Sequence, residues 1–318
     1  MELPGALMEA LSQLSAGMRQ EELLREAQNL SLAYRRQEGS GGRLVTQDVQ
    51  ACAYAAARMP ATYGAVAKAL EYALDAANIR PRTLLDAGAG TGAAAWAAAG
   101  LLELDEVFCL EREAAMRRLG QALMQSGPAA LQNARWLECD LASNAINERA
   151  GLVIAAYVLN EMTEKGRAAA AQKLWDAAGD MLLLVEPGTP AGYAHLMQAR
   201  EQLLAAGAFV AAPCPHDKPC PMENGDWCHF ACRVQRTRLH KQLKGGDAAY
   251  EDEKFAYLAV VRERCKPAEN RILRHPQVRK GHIMLTLCTQ SCIQMRTVTK
   301  KDGGIYKLAK DASAGDPI

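Results

Sequence analysis

Aromatic side chains are scarce in this 318-residue chain, at 5%, with only 4 Phe and 4 Trp. Alanine is abundant in their place, and that balance favours helices. No run of about 18 apolar residues occurs, which excludes a transmembrane helix. The N-terminal stretch MELPGALMEALSQLSAGMRQEELLREA lacks a basic start and a cleavage box, so it is neither a secretory signal nor an Arg-rich transit peptide. The expected compartment is therefore the bacterial cytoplasm. Internal repeats and low-complexity tracts are also missing.

What is present is ordinary for a soluble globular protein: 49% hydrophobic and 23% charged residues. The length suffices for one large domain or two modest ones. A net charge of +1 conceals an asymmetry: residues 213–318 hold 19 Lys and Arg against 12 Asp and Glu, a net of +7. Residues 1–212 hold 18 against 24, a net of −6. A basic C-terminal part of this kind suits a polyanion, although two solvated faces of opposite sign would give the same count.

Hydrophobic periodicity predicts helix over residues 5–37, a glycine-rich break at 38–42, a helix capped by Thr46 and running to Arg58, and a third opened by Pro60 and ending near Asn78. Short apolar strands then alternate with helices: Thr83–Asp86, Val107–Glu111, Arg135–Glu138, Leu152–Ala156 and Met181–Val185, with a later helix over 193–206. Such alternation builds a parallel sheet covered on both faces. Residues 213–228 are turn-rich, and Asp226 caps a predicted helix continuing through Arg233 to Lys244. Strand follows at Phe255–Val261, then strand-like runs at 282–288, 292–299 and 304–309, with Asp302-Gly303-Gly304 as a hairpin turn. The expected parts are a helical cap (1–78), a Rossmann-like core (79–212), a cysteine-rich insertion with a basic helix (213–254), and final core strands with a small basic β extension (255–318).

Strand, GxGxG, helix is the arrangement that binds a nucleotide-like cofactor at the carboxyl edge of a parallel sheet. Here it spans Asp86, Gly88, Ala89, Gly90, Thr91 and Gly92. Glu111 ends the next strand, where an acid accepts both ribose hydroxyls, and Asp140 ends the third, near an adenine amino group. GAGTG without a sixth-position glycine is similar to class I methyltransferases more than to NAD enzymes, so S-adenosylmethionine (SAM) is the expected cofactor. Asn160 and Glu161, after the fourth strand, are candidates to line the methyl end; helix capping by Asn160 is the competing reading. There is no Asn/Asp-Pro-Pro-Tyr box and no cysteine pair of the cytosine-C5 type, so catalytic residues are not legible.

Of 10 cysteines, Cys214, Cys220, Cys228 and Cys232 crowd together, and Cys265, Cys288 and Cys292 follow. The spacing Cys214-x5-Cys220-x7-Cys228, with Pro after the first two, is not the C-x2–4-C of zinc sites. Long gaps suit a loop wrapped around an iron–sulfur cubane held by four thiolates. The fourth thiolate comes from Cys232, Cys265, Cys288 or Cys292, while His216 and His229 keep zinc as the lesser alternative. Neither Cys228-x3-Cys232 nor Cys288-x3-Cys292 continues into a radical-SAM motif. Beyond Cys228, Arg233, Arg236, Arg238, Lys241 and Lys244 are RNA-binding candidates at roughly helical spacing.

Taken in order, RMPATY from Arg58, LLDAGAGTGAAAWA from Leu84, YVLNEM from Tyr157, VEPGTP from Val185, PCPHDKPCP from Pro213, DWCHF from Asp226 and YEDEKFAYL from Tyr250 cover nearly the whole chain. In these segments the chain resembles the methyltransferase-like family of the mitochondrial small ribosomal subunit and its bacterial relatives. The resemblance implies a class I methyltransferase fold, a [4Fe–4S] cluster and binding to small-subunit rRNA during assembly. It maps three ligands onto Cys214, Cys220 and Cys228, and the fourth onto Cys288 in preference to Cys232. The expected function is a SAM-binding, iron–sulfur assembly factor, monomeric when free and without a membrane partner. The alternatives are an active rRNA methyltransferase and a zinc-containing small-molecule methyltransferase.

Overall fold

The alanine-rich stretch after residue 47 forms one helix rather than two. In the computed structural model, which describes residues 1–36, 45–223, 225–244 and 246–318, α1 (Gly5–Ala16) and α2 (Gln20–Arg36) precede α3 (Asp48–Ala77). The helix expected over 5–37 is thus interrupted at Gly17, the residue type that holds helical backbone least firmly. The glycine break at 38–42 lies outside the described residues. Gln50, not Thr46, closes the start of α3: its Oε1 accepts the backbone N–H of Gln47 at 3.2 Å. The helix passes straight through Pro60, which forfeits one backbone bond. Buried neighbours on either side (Ala56, Met59, Ala61, Gly64 and Ala65) hold it in register. Asn78, left-handed at φ 54°, ends it as expected.

The core follows as β1 (Thr83–Ala87), α4 (Ala93–Ala99), β2 (Glu106–Glu111), α5 (Ala114–Met124), α6 (Ala129–Gln132), β3 (Arg135–Glu138), β4 (Ala150–Ala156), α7 (Glu164–Ala177), β5 (Ala178–Pro187), α8 (Pro190–Ala205) and β6 (Phe209–Ala212). Next come β7 (Phe230–Gln235), α9 (Arg238–Lys244) and β8 (Tyr250–Val261). The sheet order is β3-β2-β1-β4-β5-β8-β6. Strands β1 to β5 are parallel, and β8 is inserted antiparallel between β5 and β6. This is the class I SAM-methyltransferase sheet, a Rossmann-like order with one reversed strand. Apolar runs such as Leu152–Ile154 and Leu182–Val185 are wholly buried because helices cover both faces.

Two departures lie beyond β6. The helix expected from Asp226 to Lys244 is replaced by strand β7, whose alternating burial pairs Phe230 with Phe255 and Arg233 with Asp252 across β8. Only Arg238–Lys244 is helical. The tail forms a second sheet from β9 (Arg271–Ile272), β10 (Gln277–Arg279), β11 (His282–Cys288) and β12 (Ile293–Thr299). The strand expected at 304–309 is instead α10 (Gly304–Asp311), because Ile305 and Ala309 repeat at helical spacing and cover Ile283, Leu285 and Val298. Among the described residues no helix is long and apolar enough to cross a membrane.

Candidate functional site

At the carboxyl end of β1 the chain turns through Gly88, Gly90 and Gly92, with φ of +71°, +56° and +87°. A Cβ on Gly88 would stand 2.4 Å from Val158, whereas one on Gly90 would enter open space. Gly88 therefore serves close packing, and Gly90 leaves bare backbone facing a cleft. The Glu111 carboxylate is locked beside the loop, accepting Gly90 N–H at 2.8 Å and Glu113 N–H at 2.8 Å. Burial raises its pKa above the usual carboxylate range.

Gly88, Gly90, Glu111, Asp140 and Glu161 line one cleft of about 200 Å³, together with Arg112, Glu113 and Tyr157. These carboxylates make it a setting for a cation with hydroxyl and amino groups. Asp86, Ala89, Thr91, Gly92 and Asn160 are not among its lining residues. Asp86 lies beneath the loop, 1% exposed, accepting Ala95 N–H at 3.0 Å and so anchoring α4. Burial, with Glu111 nearby, pushes its carboxyl up to about 7. Thr91 donates to Met59 Sδ at 3.6 Å.

Asn160 sits in a 3-10 turn, Leu159–Glu161, whose N–H groups at Leu159 and Asn160 donate to Glu186 at 2.9 and 3.1 Å. Asn160 does not cap the next helix; Thr163 does, accepting from Gly166 at 3.3 Å. The Asn160 side-chain oxygen is buried with no hydrogen-bond partner. Glu186 was hidden from sequence reasoning because only the fold brings VEPGTP behind this turn. Tyr157 was equally illegible: it adopts φ +62°, unusual for a bulky side chain, and donates to Glu253 at 2.8 Å.

The second site is a small pocket between α8, β8 and the small sheet, lined by Cys214, Cys220, Cys228 and Cys288. Tyr193, Tyr257 and Arg271 share it. Cys232 lies elsewhere: its sulfur packs toward α3, 3.1 Å from where a Cβ on Gly64 would be. Cys265 faces the Val210 carbonyl, and Cys292 is exposed. His216 and His229 are not among its lining residues; their rings lie 3.1 Å from the carbonyls of Lys218 and Trp227 respectively, and His216 Nε2 also stands 4.0 Å from Cys288 Sγ. Burial raises the Cys228 thiol, and the neighbouring Cys214, Cys220 and Cys288 raise it further. Burial likewise pushes Cys288 up to about 12. Tyr193 donates its hydroxyl to Cys220 Sγ at 3.2 Å. Among the described residues, no group of three His, Cys, Asp or Glu side chains stands at the spacing of a single-ion site.

The basic candidates separate. Arg233 is paired with Asp252 at 2.8 Å and Arg236 with Glu251 at 2.9 Å. Lys241 lies on α9, and the side chains of Arg238 and Lys244 lie outside the described residues. The single helical stripe expected for these residues is not formed, since Arg233 belongs to β7.

Residues 48–318 match the family model described as mitochondrial small ribosomal subunit Rsm22. The chain is 30% identical over 286 residues to the human mitochondrial ribosome assembly protein METTL17, covering 83% of this chain and 61% of that protein. It is 27% identical over 219 residues to the mitochondrial Rsm22-cox11 tandem protein 2 of Schizosaccharomyces pombe, covering 52% of this chain and 28% of the relative. The chain thus spans under two thirds of these relatives. Among solved structures, magnesium protoporphyrin IX methyltransferase from Synechocystis with bound SAM is similar at 17% identity and TM-score 0.43, over 70% of this chain and 86% of that one. The expectation of a bacterial cytoplasmic location is overturned here, because the family and both relatives are described as mitochondrial. Leaders are removed from mature proteins, so an N-terminus without such a pattern does not report the compartment.

Proposed function

Because the chain belongs to the mitochondrial small ribosomal subunit Rsm22 family, we propose that it is a small-subunit assembly factor that binds SAM, carries a [4Fe–4S] cluster and contacts rRNA. The observation that carries this reading is the convergence of distant Cys288 with the clustered Cys214, Cys220 and Cys228 on one pocket. The donor set suits the cluster: four thiols, with no carboxylate among the lining residues. When bound, the cluster would link three cysteines around the insertion to one on β11, tying the 213–254 segment to the 255–318 extension. SAM would lie in the Glu111–Asp140 cleft, with its methionine part against the bare Gly90 backbone. The assembly role does not require methyl transfer.

The test is protein purified without oxygen, assayed for iron, sulfide and visible absorption alongside Cys214→Ser. A brown protein with about four irons per chain, losing iron and rRNA binding together in the variant, supports the reading. Iron loss with undiminished rRNA binding removes the cluster's ordering role. A colourless protein with one zinc and no ribosome co-sedimentation favours a zinc-containing small-molecule methyltransferase instead.

Active rRNA methylation is the second reading, favoured by Glu161, which follows the fourth core strand and lines the cleft. Gly90→Arg would fill the cleft and strain the loop. Loss of one rRNA methyl mark supports transfer, and an unchanged methylation map removes it.

A further inference from the structure

Beside the four-cysteine cavity the fold buries two guanidinium groups, Arg200 on α8 and Arg271 on β9, each 2% exposed. Neither has a carboxylate within 4.0 Å among the described residues. Arg200 donates to the carbonyls of His216 and Lys218, both at 2.8 Å, its buried Nε has no hydrogen-bond partner among the described residues, and its charge acts on Cys214. Arg271 donates to the carbonyls of Pro213 at 2.9 Å and Gly315 at 2.8 Å, and lies 5.4 Å from the Tyr72 ring centre. Two acids in the adjoining segments are engaged elsewhere. Asp316 accepts from Tyr72 at 2.6 Å, and Asp217 accepts from Val210 N–H at 2.9 Å and faces Arg264 at 3.5 Å.

Carbonyl dipoles satisfy some N–H groups but leave both charges uncompensated. A buried cation without a counter-ion is expensive, and folded proteins pair such groups. The groups available here to complete the balance are the four cysteines. As neutral thiols they contribute no charge. As four thiolates around a doubly charged cubane they leave two net negative charges, and around a zinc ion the total is the same.

We infer that Arg200 and Arg271 are the resident counter-charges of the four-cysteine centre, offsetting the negative charge its loaded form would carry. The inference rests on the four-cysteine reading above and assigns these arginines a role in metal retention. Each also fastens a ligand-bearing segment: Arg200 holds the turn after Cys214, and Arg271 holds the carbonyl preceding it. The metal-free protein is then under opposing demands, since the charges that favour the loaded state are unbalanced without it.

The experiment compares Arg200→Gln and Arg271→Gln with Arg200→Lys and Arg271→Lys, using whole protein purified without oxygen. The readouts are iron and sulfide per chain and the rate of iron loss to a chelator. A counter-charge role predicts iron loss faster by about tenfold or more in the Gln variants, with partial rescue by Lys, which keeps the charge but not the forked contacts to the carbonyls. A purely structural fastener predicts that Lys fails as Gln does, since neither restores those contacts. That result, or unchanged iron loss, overturns the inference while leaving the four-cysteine centre standing. Wild-type protein that binds neither iron nor zinc overturns the centre itself and the counter-charge role with it. If the resident metal is zinc, the same comparison is run on zinc loss, because the charge to be balanced is the same.

Discussion

Asp86 illustrates how one residue can be found by motif and yet act differently from the motif's promise. It ends β1 as the strand–glycine-loop pattern requires, but its carboxylate turns inward to Ala95 N–H rather than into the cleft. Its folded pKa is raised to about 7 from an ordinary 3.8. The proton is therefore held more tightly in the folded state. The associated stability is full below about 3.8 and is lost as pH rises towards 7. Asp86→Asn keeps an acceptor for Ala95 and removes this dependence. Denaturant titrations from pH 4 to 8 should show variant and wild type alike at the acid end. The variant should then gain by at most about 1.4 kcal/mol per pH unit; parallel curves would contradict the burial argument. Gly88, Gly90, Glu111 and Asp140 were legible because loop and strand-end positions follow from local pattern. Glu186 and Tyr157 were not, because their roles depend on which loop another strand end meets.

Elements were legible where burial on both faces or a clean helical period marked them, as in β4, β5 and α8. They were misread where a polar–apolar alternation crossed a basic stretch. Arg233 and Arg236 read as a helix stripe, yet β8 offers Asp252 and Glu251 as cross-strand partners, and pairing across the sheet decides the conformation. In the tail, α10 closes the small sheet that delivers Cys288. Ala309 is fully buried against that sheet. Ala309→Asp places an unpaired charge there, so α10 should undock and β11 loosen. The measurable outcome is loss of iron with SAM binding kept, by absorbance and calorimetry on the same sample. Equal loss of both would mean that the small sheet and the core unfold together.

At the scale of the whole molecule, the charge separation along the chain falls on separate parts of the fold. The acidic first two thirds carry the cleft, and the basic last third carries the second sheet. Arg279 and Lys280 lie at one end of that sheet, beside His282 and opposite Thr299, which precedes Lys300 and Lys301. Among the described residues none of these four Lys and Arg side chains has an ion-pair partner, unlike Arg233 and Arg236. Unpaired cations give the larger return on meeting phosphates, since no carboxylate must be displaced. Arg279→Glu with Lys280→Glu should weaken rRNA binding and flatten its dependence on salt. Arg233→Glu should do less of both, and the reverse ranking in a salt series would return the contact to the β7–α9 segment.

By itself the sequence determined the class of fold, the glycine loop after β1 and three clustered thiols, because each is written in residues close together along the chain. Strand periodicity, glycine spacing and cysteine spacing are local properties, and local steric rules suffice to read them. Tertiary structure decided which distant groups share a volume. It brought Cys288 rather than Cys232 to the cavity, turned Asp86 away from the cleft, and buried Arg200 and Arg271 beside thiols with which they have no sequence neighbourhood. The physical reason is that charge balance and cavity closure are set by what packing excludes from water, and a linear pattern carries no record of that.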